Sequence, residues 1–543
     1  MEKNFFIGVD VGSASVRAGI FTPKGERLAF AVRPIAQFHS GESQVEQSSA
    51  DIWLRVCETV KEAVALSGVS ADAVSSIGFD ATCSLVAVGE GGSPVSVSES
   101  GSPERDIVMW MDHRATEEAT AINLTNDPAL QYVGGEVSVE MELPKILWIK
   151  RHYPERYRQV WRFFDLADYL VWRASGADAA SVCTLTCKWN YLAHEGRFSD
   201  SLLADVGLED VLSKVPPKVL ELGERAGTLC ESAAHQLGLT TRVVVAGGII
   251  DAHAGGLALA AANPAGSLTI ISGTSNCHMV ASADPVMVPG VWGPYFGAML
   301  PKLWLNEGGQ SAAGALVDWT LNQSAAWAGL VSEAKAQGES PYALLNRQVE
   351  LLERQEHYPT CHYHILADHH GNRSPRANPD ARGMASGLSL ETGVSELARR
   401  YLATLQAIAY GTRHIIESLV EAGHRIERIV MCGGATKNPL WLREYANATG
   451  RAIHLAEEED PVTLGAALLG AVACGAFDGF ADAARAMVRE GRRIEPDAST
   501  YAFHDAKYCV YLQMYQDQQR YADVMYRACS LSNDKTIDEQ QDD

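Results

Sequence analysis

Apolar residues gather in short blocks broken by glycine and small hydroxyl residues. Two of these blocks share one pattern, FFIGVDVGSASVRAGIF at 5–21 and SLTIISGTSNCHMVA at 267–281. Each predicts an apolar strand, a tight turn and a second strand. Such a turn leaves backbone N–H groups free to converge on an anion, and Gly12 and Gly273 permit close approach there. GGIIDAHAG at 247–255 lies between them and predicts a strand-to-helix junction at Asp251.

The intervening pattern is α/β. A helix is predicted over 49–67 and a buried strand over 74–79, running into DATCSLV at 80–86. The segment 108–123 begins as a strand and continues as a helix. Residues 140–176 read as a helical insertion, and SVCTLTCKWNY (181–191) as polar and β-like. A strand at 242–246 and a small-residue helix at 252–262 close the first half, and AANPAGS (261–267) interrupts the periodicity. In the second half, LWLNEGGQSAAGALVDW (303–319) reads as a loop entering a helix. Helical stretches follow near 325–356 and 388–423, then a strand and turn in RIVMCGGATKNPLW (428–441). From about 475 the chain reads as mostly helical, with 511–528 spaced to dock on the body. This division predicts two lobes, 1–262 and 263–480, and a helical extension with an acidic tail, 481–543.

Length supports more than one domain, because 543 residues exceed what a single core usually serves. A formal net charge of −22 argues against nucleic acid or an anionic membrane as partner. No apolar run approaches a membrane span, and the N-terminus lacks a signal-peptide pattern, so a cytoplasmic protein is expected. The 11 scattered cysteines predict reduced thiols rather than a disulfide framework. Whether the chain forms a homodimer stays open.

Four ordered segments resemble the FGGY sugar kinases, a branch of the actin-like ATPase superfamily. They are DVGSAS (10–15), GGIIDAHAG (247–255), SGTSN (272–276) and CGGATKNPLW (432–441). The resemblance implies a two-lobed, duplicated actin-like (ribonuclease H-like) α/β fold with an inter-domain cleft binding ATP and Mg²⁺. It casts Gly12, Ser13 and Ser15 with Gly273, Thr274 and Ser275 as phosphate loops. Gly433, Gly434, Ala435 and Asn438 would lie against the adenosine. Asp10 would stand near Mg²⁺, directly or through water. Asp251 would be the general base for a sugar hydroxyl, against the plainer reading of a helix cap. GGQSAAG (308–314) places Gln310 and Gly314 at a helix start suited either to the nucleotide or to packing.

Resemblance to ketopentose kinases implies a sugar pocket of Asp80, Cys83, Lys188, Asp251 and Glu307. DATCSLV and CTLTCKWNY (183–191) are similar to the D-ribulose kinase branch, so D-ribulose is the expected substrate. L-ribulose, D-xylulose and ribitol are the alternatives within the class, and an actin- or Hsp70-like ATPase switch is the alternative outside it. The spacing of Cys361, His362, His364, Asp368, His369 and His370 could suggest metal ligands, but such spacings arise easily in a loop. Cys183 and Cys187 lie four apart without a second ligand pair.

Overall fold

In the computed structural model, which describes residues 4–41 and 43–538, both hairpins form. Phe5–Val11 pairs antiparallel with Ser15–Phe21, and Ser267–Ser272 with Asn276–Ser282. Each hairpin sits inside a seven-stranded sheet. The first sheet runs Arg225–Thr228, Val244–Ala246, Val74–Ala81, Phe5–Val11, Ser15–Phe21, Arg27–Pro34, with Ile249–Ile250 also beside Val74–Ala81. The second runs Trp292–Phe296, Trp304–Gln310, Asn276–Ser282, Ser267–Ser272, Arg428–Gly433, Ile453–Ala456, Glu490–Ile494.

Counted outward from the first strand of each hairpin, two antiparallel neighbours lie on one side and parallel strands on the other. The same order in both halves is the duplicated α/β fold that the hairpins imply. Parallel strands need cover on both faces, which is why Phe5–Val11 and Val74–Ala81 are almost continuously buried. Ser49–Ser67 covers one face. Ser48 caps its N-terminus by accepting from Asp51 N–H, Gly68 ends it in the left-handed region, and Ile52, Trp53, Val56, Val60 and Ala63 form its buried stripe.

Two helices join the lobes. The cleft helix, Asp251–Ala260, leaves the first sheet and packs against Ile271, Met279 and Met299 of the second half. The cross helix, Pro461–Ala473, leaves the second sheet and lies over the first. A Cβ on Gly8 would overlap the Thr463 carbonyl, one on Gly78 the Ala466 carbonyl, and one on Gly465 the Ala254 carbonyl. Backbone therefore meets backbone at all three contacts, and the cross helix, apolar on every side, is buried.

Several elements differ from the pattern reading. The insertion at 140–176 holds helices at Glu142–His152, Pro154–Gln159 and Leu166–Ser175, but Val160–Asp165 is a strand paired with Leu85–Gly89. The β-like stretch at 181–191 contains a helix, Val182–Lys188, because Ser181 caps it through Cys183 N–H and outweighs the weak β preference of its Val, Cys and Thr. The expected loop at 303–310 is the strand Trp304–Gln310, whose two glycines hide its alternation.

The C-terminal region adds Glu490–Ile494 to the second sheet and then forms the tail helix, Tyr501–Asp538. Its docking face begins before the expected 511–528 and covers only the start of it: Tyr508, Tyr511 and Met514 are buried, and His504 Nδ1 lies 2.8 Å from the Tyr410 hydroxyl, whereas Tyr521, Val524 and Met525 are exposed. Residues 539–543 of the acidic tail lie outside the described residues. Lys507 is buried in this docked segment and donates to the carbonyls of Thr360 (2.7 Å) and Tyr363 (2.8 Å). A neutral amine has two N–H groups for two acceptors. Burial brings Lys507 from 10.5 to about 7 against the opposing pull of Glu444.

Between these values the unfolded chain binds more protons than the folded one, so this group adds stability as pH rises above about 7, and the gain is absent below it. The unfolding midpoint of the wild type relative to Lys507→Met should climb from pH 7 to pH 9.5, and a constant difference in thermal melts would refute the assignment.

Candidate active site

Strand register gathers carboxylates at one end of the first sheet. Asp10 and Asp80 are direct partners on parallel strands, and Ile249 pairs with Asp80, which puts Asp251 just beyond that strand end. Asp10 accepts from Arg17 at 2.8 Å, and both acids are almost wholly buried. Neither oxygen of Asp80 has a donor, so its carboxyl faces that of Asp10 without compensation. Burial lifts Asp10 to about 7; Arg17 opposes the rise, and Asp460 and Asp251 add to it. Burial, then Asp10 and Asp251, hold Asp80 well above the carboxylate range. Two buried acids short of positive charge fit a divalent cation bearing phosphate oxygens. Asp80, expected in the sugar pocket, thus stands in the acid row beside Asp10.

Asp251 opens the cleft helix and stays partly exposed. Its Oδ1 accepts only the adjacent Ala252 N–H, at 2.6 Å, and the N-cap position belongs to Ile250. The helix-cap reading therefore does not describe it. Burial raises its pKa, with Ala252 N–H, His253 and Lys188 opposing.

Both turns close alike: Gly12 N–H bonds Ser15 O (3.0 Å) and Gly273 N–H bonds Ser275 O (2.9 Å). Ser13 uses its hydroxyl to accept from Trp110 Nε1 (2.9 Å) and its carbonyl to accept from Gln37 and Gln47, while Gly273 and Thr274 are exposed at the loop tip. Gly314 settles toward packing: its N–H bonds Gly273 O at 3.1 Å, and a Cβ there would sit 2.6 Å from that oxygen. Gln310 is committed inside the lobe. Its Oε1 accepts from Asn276 and Thr412, and its Nε2 donates to Ile408 O, which braces it under the loop.

In the other expected nucleotide segment Gly433, at φ +95°, lies against Ser272, while Gly434 is exposed and Ala435 buried. The Asn438 carboxamide accepts from Leu440 and Trp441 N–H and donates to the Tyr401 hydroxyl. It caps a helix, Pro439–Thr449.

The polar pocket joins the lobes. Lys188 ends its helix 4.6 Å from the Trp292 ring centre, and Arg373 lies 4.3 Å from the same ring. Trp292 is paired in register with Glu307. Arg373 also bonds Glu140 at 2.5 Å, tying a second-lobe loop to the first-lobe insertion. Burial opposes charge on Glu307, but His253, Lys188 and Arg373 outweigh it and hold the acid at about 2. Burial likewise opposes the charge on Lys188, yet Cys83, Glu307, Tyr295 and Glu140 keep it above the usual lysine range. Cys83 is buried and its thiol is pushed up. The Tyr295 hydroxyl is buried without a partner beside these groups.

Asp10, Asp80 and Asp251 thus cluster on one wall, and Cys83, Lys188 and Glu307 form the neighbouring pocket. Arg17, Asp460, His253, Trp292 and Arg373 were missed by motif reading. An Asp-Pro helix start at 460–461 and the arginine of HGNRSP (370–375) were the available signals. The 361–370 segment brings no such cluster together: Asp368 pairs with Arg376 and Asn372, and His369 packs on Trp319.

The family model for the N-terminal domain of FGGY carbohydrate kinases matches residues 5–258, and that for the C-terminal domain matches 268–474. The chain belongs to the FGGY family of carbohydrate kinases. It is 42% identical to the human FGGY carbohydrate kinase domain-containing protein, over 96% of this chain and 98% of that one. D-ribulokinase YDR109C of Saccharomyces cerevisiae is 37% identical over 88% of this chain and 73% of its own, and the ribulokinase of Bacillus licheniformis 30% over 94% and 96%. The xylulose kinase structure from Rhodospirillum rubrum superposes with a TM-score of 0.79 at 23% identity, covering 95% and 99% of the two chains, and shares the fold. This FGGY kinase transfers a phosphoryl group to a carbohydrate alcohol, and its family uses ATP. No helix among the described residues is long and apolar enough to cross a membrane.

Gly314→Ala should push the second loop away from its position and raise KM for ATP about tenfold, a cost of about 1.4 kcal/mol typical of a modest overpacking. KM for the sugar should stay within about twofold of the wild type. Equal rises in both constants in steady-state assays would contradict this.

Proposed function

We propose that the enzyme phosphorylates D-ribulose on its C5 hydroxyl, giving D-ribulose 5-phosphate. The observation that carries this reading is the grouping of Lys188, Glu307 and Asp251 in one another's field at the cleft. One ammonium and two carboxylates give a ketose several hydrogen bonds in place of water. The names of the yeast and bacterial relatives support a ribulose among the pentuloses.

Residues 1–262 form the lobe that holds the sugar, 263–480 the second phosphate loop and adenosine segment, and 481–543 an extension. Asp251 accepts the C5 hydroxyl proton as that oxygen bonds the γ-phosphorus. The bond to the bridging oxygen breaks, and its electron pair leaves with ADP. N–H groups of the loops at 12–15 and 273–275 face the phosphates. Asp10, with Asp80 beside it, would hold Mg²⁺, which supplies positive charge to the phosphate oxygens when bound. Trp292 and Arg373 close over the sugar and exclude water, whose entry would waste ATP.

Asp251→Asn should lower kcat by about a hundredfold to ten-thousandfold while nucleotide affinity stays at the wild-type level, because the base acts only in transfer. Near-normal kcat would remove Asp251 from this role. Across D-ribulose, L-ribulose, D-xylulose and ribitol, kcat/KM should be highest for D-ribulose, and the absence of D-ribulose phosphorylation would overturn the substrate assignment.

A further inference from the structure

Beside the pocket lie buried groups that phosphoryl transfer does not use. Cys183 and Cys187 stand one turn apart on the helix Val182–Lys188, and His253 stands two residues after Asp251 on the cleft helix. His253 Nδ1 is 3.1 Å from Cys183 Sγ and 3.9 Å from Cys187 Sγ. Its Nε2 is 3.1 Å from Glu307 Oε2. One ring thus links the helix carrying Lys188, the helix carrying Asp251 and the strand carrying Glu307.

We propose that Cys183 and His253 are positioning residues for sugar recognition: the sulfur fixes the imidazole, and the imidazole holds one oxygen of Glu307 so that the other is aimed at the sugar. The proposal rests on the reading of Glu307 as a sugar ligand. A glutamate side chain has rotamer freedom that binding must remove, and a partner that has already fixed it lowers that cost. The partner here must itself be fixed. An imidazole bonded through only one nitrogen can tilt about that bond, whereas one held at both nitrogens cannot.

Charge reinforces the geometry. Burial disfavours the imidazolium, yet Cys183 and Glu307 lift His253 to about 10. Burial disfavours the thiolate as well, yet hydrogen bonding from Cys187 and His253 brings Cys183 to about 5. Each partner thus favours the charged form of the other, which strengthens the contact between Cys183 Sγ and His253 Nδ1. Lys188 and Arg373 face the same carboxylate from their own elements, and Asp251, Cys277 and Tyr295 are the other titratable groups around it.

Cys183, Cys187 and His253 also bring three donor atoms within 4.8 Å of one another, a spacing that a metal ion could use. Two ligands on one tetrahedral zinc keep an S···N separation of about 3.5 Å, given bonds of about 2.3 and 2.0 Å. The 3.1 Å between Cys183 and His253 is a hydrogen-bond contact shorter than that, and the cluster has no fourth donor. The arrangement is a hydrogen-bonded relay.

Steady-state kinetics of Cys183→Ala, Cys183→Ser, His253→Gln and Glu307→Gln across pH 6 to 8.5 test it. Cys183→Ala should raise KM for D-ribulose about tenfold with KM for ATP unchanged, the size of one charge-assisted hydrogen bond. It should also gain a rise in sugar KM with pH that the wild type lacks, since without the sulfur the imidazolium loses its proton in this range. Cys183→Ser should restore most of the affinity at pH 6 and keep that pH dependence. His253→Gln, whose amide can donate to Glu307 but is not held by the sulfur, should lose at least as much as Cys183→Ala. A wild-type sugar KM and flat profile in Cys183→Ala would overturn the relay, as would equal rises in both KM values. If Glu307→Gln leaves the sugar KM unchanged, the pocket assignment falls and the relay with it; if Glu307→Gln raises it but Cys183→Ala does not, the relay alone falls. A thiolate charge-transfer band on adding Co²⁺ to the wild type, lost in Cys183→Ser, would overturn it in favour of a metal cage.

Discussion

Holding Asp10, Asp80 and Asp251 together at one end of a buried sheet sets the terms for everything else in this fold. Like charges in a medium of low dielectric repel strongly; Arg17 bonds Asp10, while His253 and Lys188 act on Asp251. The deficit of positive charge at that end of the sheet fits the cation and phosphates of the proposed reaction. Stability is given up where binding will restore it. An isolated lobe with a neutral pair at these positions would be easier to fold and would have no affinity to offer.

Such a cluster is useful only if its distance to the second lobe is fixed, and the glycines provide that. Gly8, Gly78 and Gly465 let the cross helix rest directly on backbone. A contact between main chains has no rotamers to relax through, so the separation between acid row and phosphate loop is set by covalent geometry and van der Waals radii. Softer contacts serve the pocket. Trp292 meets both Lys188 and Arg373, two cation–ring contacts each worth on the order of 1 kcal/mol.

The hairpins, the acid at 251 and the duplicated order could be read from the chain because each depends on neighbours in sequence. Turn chemistry at 12–15 and 273–275 is local, and so is the glycine-rich approach to Asp251. What could not be read depends on partners far along the chain. Lys188 was placed in a β-like stretch because Val, Cys and Thr prefer strands, and a single serine cap reversed that preference. Glu307 was placed in a loop because glycines at 308 and 309 removed the alternation of a strand whose partner lies 22 to 34 residues earlier. The protein partners of Gln310 and Asn438 were hidden for the same reason: a carboxamide in a promising motif says nothing about Thr412 or Tyr401, which bond it.

The exchange of helices between the halves bears on how the molecule is made. The first sheet receives its covering cross helix only after residue 473 has been synthesised, and the cleft helix finds Ile271, Met279 and Met299 only after the second hairpin exists. During translation the leading half therefore emerges with an apolar face uncovered. Neither half is a separable folding unit. Gene fission at the 262–263 junction would yield two sticky fragments, and the acid row meets the second hairpin only when both halves have closed on each other.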